Sequence, residues 1–225
     1  MIEAVVFDLD GVIVDSEQVW DAARETLARE RGGRWHERAQ QDMMGMSSLE
    51  WSRYMHDRLG LSETPEEIST EVVKRLESIY REELPLIDGS PEAVSRLAER
   101  WPLAVASSSN RPIIDLVLEL SGLDRYFRTT VSSEEVPRGK PAPDVYLEAA
   151  RRLGADPSRT AAVEDSHNGI LSAKAAGMRV VAIPNVRYPP GEETLAMAEV
   201  VLQSVAELTP DVVDEKGLSD ADKRE

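Results

Sequence analysis

Asp8 and Asp10, in Asp8-Leu9-Asp10-Gly11-Val12, follow the apolar run Ala4-Val5-Val6-Phe7. Such a run reads as a buried strand. Both carboxylates therefore leave one strand end together, and Gly11 allows a sharp turn behind them. Two anions held this close repel, so at neutral pH the pair requires a cation or a shared proton. Three more polar groups stand at equivalent places. Ser107-Ser108-Ser109-Asn110 follows Leu103–Ala106, Gly139-Lys140-Pro141-Ala142-Pro143-Asp144 turns into a helical pattern, and Glu164-Asp165-Ser166 follows Thr160–Val163.

Singly, each group also fits a structural role: turn chemistry for the Asp pair, helix capping for the serines and for Glu164-Asp165-Ser166, a solvated loop for Lys-Pro-Ala-Pro. Together, at four strand ends, they suit phosphoryl transfer. Asp8, Asp165 and a hard divalent cation form an all-oxygen site that matches Mg²⁺. Lys140 adds a point charge, and the Ser107 hydroxyl a donor for developing charge. Asp8 can attack phosphorus to give an aspartyl-phosphate. Asp10 can protonate the leaving alkoxide and then deprotonate the attacking water.

The elements that must position these groups alternate. Strands are predicted at 2–8, 103–106, 129–131, 160–163, 180–183 and 200–202, with helices at 113–120, 145–153 and 168–176. This pattern predicts an α/β fold, a doubly wound parallel sheet with helices on both faces and ligands at the strands' carboxyl ends. From Ser16, where Val19, Trp20, Ala23 and Leu27 recur at helix spacing, to about Leu84 the chain reads as helices only, broken near Arg31–Gly33 and Gly60–Ser62. The predicted organisation is an α/β core from 1–15 and 86–210, an inserted all-α module over 16–85, and a flexible charged tail over 211–225.

Among the 225 residues, 41% are hydrophobic and 30% charged, which supports one sizeable core and a smaller module. A net charge of −16 argues against nucleic-acid and anionic-membrane partners and leaves a small anionic substrate open. No apolar run is long enough to cross a bilayer, and no basic segment precedes the first apolar run as in a signal peptide. Cysteine is absent, which removes thiolate catalysis and disulfides and fits a reducing cytoplasm.

The four groups, in this order, resemble the motifs of the haloacid dehalogenase superfamily over nearly the whole chain to about Ala206. The closest likeness is to the capped subgroup that includes β-phosphoglucomutases and small sugar-phosphate phosphatases. The resemblance implies a Rossmann-like core, Asp8 as nucleophile and Asp10 as general acid/base. It implies Mg²⁺ held by Asp8, the backbone carbonyl of Asp10 and Asp165, with Glu164 holding metal-bound water or orienting the site. It implies Ser107 and Lys140 on the transferring phosphoryl group. The acid at position 10 favours phosphate esters over the family's dehalogenase and phosphonate chemistry.

The resulting expectation is a Mg²⁺-dependent phosphatase of a small phosphorylated metabolite of the sugar or polyol class, cytoplasmic and monomeric. A sugar phosphomutase is the first alternative, and a non-catalytic phosphometabolite- or metal-binding regulator the second. Where the mutase pattern has a His in the first cap helix, this chain has Trp20. After Gly45-Met46-Ser47 it has Ser48 in place of an Arg. Substrate-binding candidates are Ser107, Ser108, Asn110, Lys140, Gly45, Ser47 and Trp20. Met43, Met44 and Met46 read mainly as packing, His36 and His56 as surface, and His167 as a first-turn helix residue.

Overall fold

The computed structural model describes residues 1–43 and 46–214. In chain order the strands are β1 (Ala4–Phe7), β2 (Leu103–Ser107), β3 (Phe127–Ser132), β4 (Thr160–Glu164), β5 (Arg179–Ala182) and β6 (Val200–Val201). They form one parallel sheet in the order β3-β2-β1-β4-β5-β6. β1 is central. The chain winds outward through β2 and β3, then returns to the other side of β1 for β4, β5 and β6. The reversal leaves a crevice beyond the carboxyl ends of β1 and β4, which are paired from Ala4–Thr160 to Phe7–Val163.

The apolar strands are covered on both faces, as parallel strands must be. Val5 and Phe7 of β1 point into one apolar cluster with Val105, Val163, Ile113 and Val117. Val6 points the opposite way, into a second with Ala104, Val145, Tyr146, Ile170 and Ala173. Fully burying a side chain such as Phe7 stabilises by roughly 1.5–3 kcal/mol. Phe7 also meets Phe127 edge-to-face, with centroids 5.9 Å apart.

The helices are α1 (Glu17–Glu30), α2 (Ala39–Met43), α3 (Ser48–Asp57), α4 (Pro65–Glu82), α5 (Ser90–Ala98), α6 (Arg111–Ser121), α7 (Asp144–Leu153), α8 (His167–Ala175), α9 (Glu192–Leu195) and α10 (Pro210–Asp214). α1 to α4 lie between β1 and α5, where the sequence reads as all-helical. α1 buries Trp20, Ala23, Arg24, Leu27 and Ala28, a stripe at i, i+3, i+4, i+7 and i+8. α4 starts on a capping box, with Thr64 accepting from the Glu67 amide and Glu67 accepting from the Thr64 amide, and has Pro65 in its first turn. The chain segments entering and leaving this helical stretch pair with each other. The Asp15 amide donates to the Pro85 carbonyl at 2.8 Å, the Ile87 amide to the Ile13 carbonyl at 3.0 Å, and Val14 bridges Leu86.

Three expectations change. Residues 33–38 are not helical, so the break after α1 is longer than Arg31–Gly33 and α2 is short. Residues 85–91, whose Pro, Asp, Gly and Ser content reads in sequence as a turn cluster ending the helical stretch, run into α5: Gly89, at φ +84°, caps it and Pro91 occupies its first turn. Residues 211–214, expected in a flexible tail, form most of α10. Val213 is fully buried there, and the Asp214 carboxylate takes the Ile2 amide at 3.1 Å and pairs with Arg100. The rest of that expected tail lies outside the described residues, as does Gly45.

Candidate active site

Asp8 is the first residue beyond β1, and its amide still donates to the Val163 carbonyl of β4 at 2.9 Å. Asp8 is 5% exposed. Lys140, equally buried, donates from Nζ to Asp8 Oδ1 at 2.5 Å and to Glu164 Oε1 at 2.5 Å. Burial works against the lysine charge, but the two adjacent carboxylates outweigh it and hold its pKa above the ordinary value. Asp8 moves the other way. Burial pushes it up to about 8 against the pull of Lys140, with Glu164 and Asp10 adding repulsion.

Glu164, the last residue of β4, has no exposed surface. Its Oε1 also accepts from Tyr146 Oη at 2.8 Å. Its Oε2 accepts from the Asp165 amide, the Ser166 amide and Ser166 Oγ at 3.0, 3.2 and 3.0 Å. α8 accommodates it through Gly169, where a Cβ would lie 1.8 Å from Glu164 Oε1. Both oxygens are therefore engaged by protein donors, and Glu164 orients Lys140 and the β4 end.

Asp165 faces Asp8 across the crevice. Its Oδ2 accepts from Asn185 Nδ2 at 3.3 Å, and a Cβ on Gly11 would lie 1.9 Å from that oxygen. Gly11, at φ +82°, is thus required both for its turn and for this close approach. Burial, reinforced by Glu164 and Asp8, raises Asp165 well above the carboxylate range. Carboxylate oxygens of Asp8, Glu164 and Asp165 lie within 4.8 Å of one another. Asp8 Oδ2 and Asp165 Oδ1 accept no hydrogen bond among the described residues. A buried, all-oxygen cluster in which Asp8 and Asp165 resist ionisation next to one another fits a hard divalent cation.

Asp10 sits where the two halves of the crevice meet. Oδ1 accepts from Ser16 Oγ at 2.5 Å and from Trp20 Nε1 at 3.2 Å. Oδ2 accepts from Ser109 Oγ at 2.6 Å and Ser107 Oγ at 3.2 Å. Two donors come from the start of the helical stretch, and two from the last residue of β2 and the loop after it.

A cavity of about 100 Å³ joins these groups, lined by Asp8, Asp10, Lys140, Asp165, Ser108 and Trp20 among others. Of the sequence candidates, Ser107 is placed differently: it is fully buried, accepts from the Ser109 amide and donates to Asp10. Ser108, whose buried Oγ has no partner among the described residues, lines the cavity in its place. Ser47 caps α3 with Glu50 and, with Asn110, lines a separate 780 Å³ cleft. Asn110 donates there to Ser69 at 3.2 Å and Glu134 at 2.8 Å, and Ser48 donates to Glu134 at 2.9 Å, tying α3 and α4 to the sheet's loops. His167 is exposed and contacts Thr194 at 2.6 Å.

Sequence reasoning does not find Ser16, Ser109, Tyr146 or Asn185, whose roles arise from tertiary contacts. It also passes over Arg24. A charged residue inside the buried stripe of α1 is the signal that could have found it.

Comparisons with known proteins agree with this architecture. Residues 2–177 match the family model described as haloacid dehalogenase-like hydrolase. The chain is 33% identical over 225 residues to hexitol phosphatase B of Escherichia coli, covering 92% of this chain and 94% of that one. It is 32% identical over 213 residues to the probable pseudouridine-5'-phosphatase of Drosophila melanogaster, covering 92% and 91%. Among solved structures, CbbY from Rhodobacter sphaeroides in complex with phosphate superposes with a TM-score of 0.85 at 27% identity, over 96% of this chain and all of that one. With four motif groups gathered at the carboxyl edge of a 3-2-1-4-5-6 sheet and a family match across most of its length, the chain belongs to the haloacid dehalogenase-like hydrolases.

Proposed function

We propose that the protein is a Mg²⁺-dependent phosphatase that hydrolyses a small phosphorylated metabolite of the sugar or polyol class through an aspartyl-phosphate on Asp8. One observation carries this reading. The Asp8 and Asp10 carboxylates line a single small cavity together with the Lys140 ammonium and Asp165. The phosphatase names of the relatives support it.

Asp8 Oδ2, free of protein donors while Lys140 fixes Oδ1, is the attacking oxygen. It forms the new O–P bond as the ester O–P bond breaks. Asp10 gives its proton to the departing alkoxide and then takes one from the water that cleaves the aspartyl-phosphate. Ser16, Trp20, Ser107 and Ser109 hold its carboxyl group against the cavity wall. Lys140 and the unpartnered Ser108 hydroxyl offer donors to phosphoryl oxygens. Asp8 and Asp165 would hold Mg²⁺, which when bound neutralises carboxylate repulsion and polarises the phosphoryl group. The segment 16–85 serves as a cap that excludes water from the cavity.

The test is phosphate release from a panel of sugar, polyol and nucleoside monophosphates with Mg²⁺ and with EDTA. The wild type is expected to release phosphate only with Mg²⁺, and Asp8→Asn to lose at least about 10³-fold, in keeping with loss of a covalent nucleophile. Undiminished turnover by Asp8→Asn refutes the nucleophile assignment. Isomerisation of a sugar phosphate without net phosphate release replaces the phosphatase reading with a mutase.

A further inference from the structure

Arg24 is a cation with no carboxylate within ion-pair distance among the described residues, although it is only 6% exposed. Its guanidinium carbon lies 4.7 Å from the ring centroid of Trp20 and 4.7 Å from that of Trp51, so two indoles hold it. Trp20 and Trp51 pack edge-to-face at 5.9 Å, which fixes this cage. Arg24 Nε is buried without a hydrogen-bond partner among the described residues. The lining of the same cavity includes Gln40 of α2, also 6% exposed, whose Oε1 is buried and receives no donor among the described residues. Buried polar groups are nearly always satisfied, and unsatisfied ones among the lining of a reaction cavity point to a ligand.

We infer that Arg24 and Gln40 form the specificity-determining site for a hydroxyl group on the non-phosphorylated end of the substrate. A hydroxyl is both acceptor and donor. Its oxygen accepts from the Arg24 guanidinium while its O–H donates to Gln40 Oε1, which satisfies both residues at once. A fully ionised second phosphate or a carboxylate accepts from Arg24 but brings no proton to Gln40 Oε1 in the orientation it has here, and an alkyl chain satisfies neither. The substrate class is therefore a hydroxylated monophosphate. Asp8 and Lys140, which line the same cavity, hold the phosphoryl end. The inference deepens the phosphatase reading and rests on it for the orientation of the substrate.

The test compares a hexitol monophosphate with hexyl phosphate, and adds a hexitol bisphosphate. Turnover is measured by phosphate release, and affinity separately by quenching of tryptophan fluorescence. Wild-type protein is expected to favour the hexitol monophosphate over hexyl phosphate in both measurements. Arg24→Met, which keeps the side-chain bulk, should reduce kcat/KM for the hexitol ester about 10–100-fold more than for the alkyl ester, the scale of losing a charge-assisted hydrogen bond. Gln40→Met should show the same selectivity with a smaller loss, and it carries the test if the first variant does not fold. Equal losses on both esters, or equal wild-type affinity for both, overturn the inference. A wild-type preference for the bisphosphate that Arg24→Met abolishes overturns it too, since Arg24 then reads an anion. A wild type that binds the hexitol ester selectively yet turns over neither ester refutes the phosphatase reading alone.

Discussion

Glu164 accepts from five donors and keeps neither oxygen for a ligand, yet the site depends on it. It holds Lys140 beside Asp8, and Gly169 leaves the space in which it does so. The consequence is a sign reversal. Inside a helix, Gly→Ala ordinarily stabilises by up to about 1 kcal/mol. Gly169→Ala is expected instead to destabilise by about 1–3 kcal/mol, because the added methyl overlaps a buried, hydrogen-bonded carboxylate. Urea unfolding checks this, and a raised midpoint would contradict it. Activity should fall as well, since Glu164 cannot move without releasing Lys140.

Among the elements, the buried strands are legible in sequence because parallel strands need continuous apolar runs, and β2 and β4 differ from expectation by a single terminal residue. The positions of Asp8, Lys140 and Asp165 are legible for the same reason, since each stands next to a recognisable strand or helix end. α5 is not. Gly89-Ser90-Pro91 reads as a turn, and the same residues are a good helix start. α10 is hidden because Val213 is buried in the main apolar cluster and Asp214 is held by Ile2 and Arg100, both distant in sequence. Val213→Ala should therefore cost about 2 kcal/mol by thermal or urea unfolding, although the segment reads as a charged tail. Asp15-Ser16 and Leu84–Gly89 are expected to act as hinges. Amide exchange there should slow when Mg²⁺ and a phosphate analogue such as beryllofluoride are added, and unchanged exchange would exclude closure.

At the scale of the whole molecule, the few carboxylates held in or beside the buried site set how stability responds to pH. Asp8, pushed up to about 8, and Asp165, pushed up chiefly by burial, both bind protons more tightly in the folded state than in the unfolded one. Glu17 at the edge of the cavity, raised to about 7 by burial and by Asp15, does the same. Stability falls with rising pH wherever the folded state binds more protons. Without a divalent cation the melting temperature should therefore decline from about pH 4 toward pH 8, through the window between the ordinary and raised values. Mg²⁺ binds the ionised form, so its stabilising effect should be larger at pH 8 than at pH 5. Differential scanning calorimetry with EDTA and with Mg²⁺ at both pH values measures this, and an equal shift at the two would contradict it.

The paired segments at the base of the helical stretch carry a further consequence for how such a molecule can be rebuilt. With the Asp15 amide 2.8 Å from the Pro85 carbonyl, the stretch leaves the sheet and rejoins it at nearly one point. It can be lifted out or exchanged for another of different length without lengthening or straining the sheet that remains. The exchange has one constraint. Ser16 and Trp20 travel with the removable part while Asp10 stays behind, so a transplanted replacement must bring its own two donors for that carboxylate. A recombinant that preserves them should inherit the donor's selectivity on this chain's chemistry, and one that omits them should fold around an acid that nothing on that side holds in place.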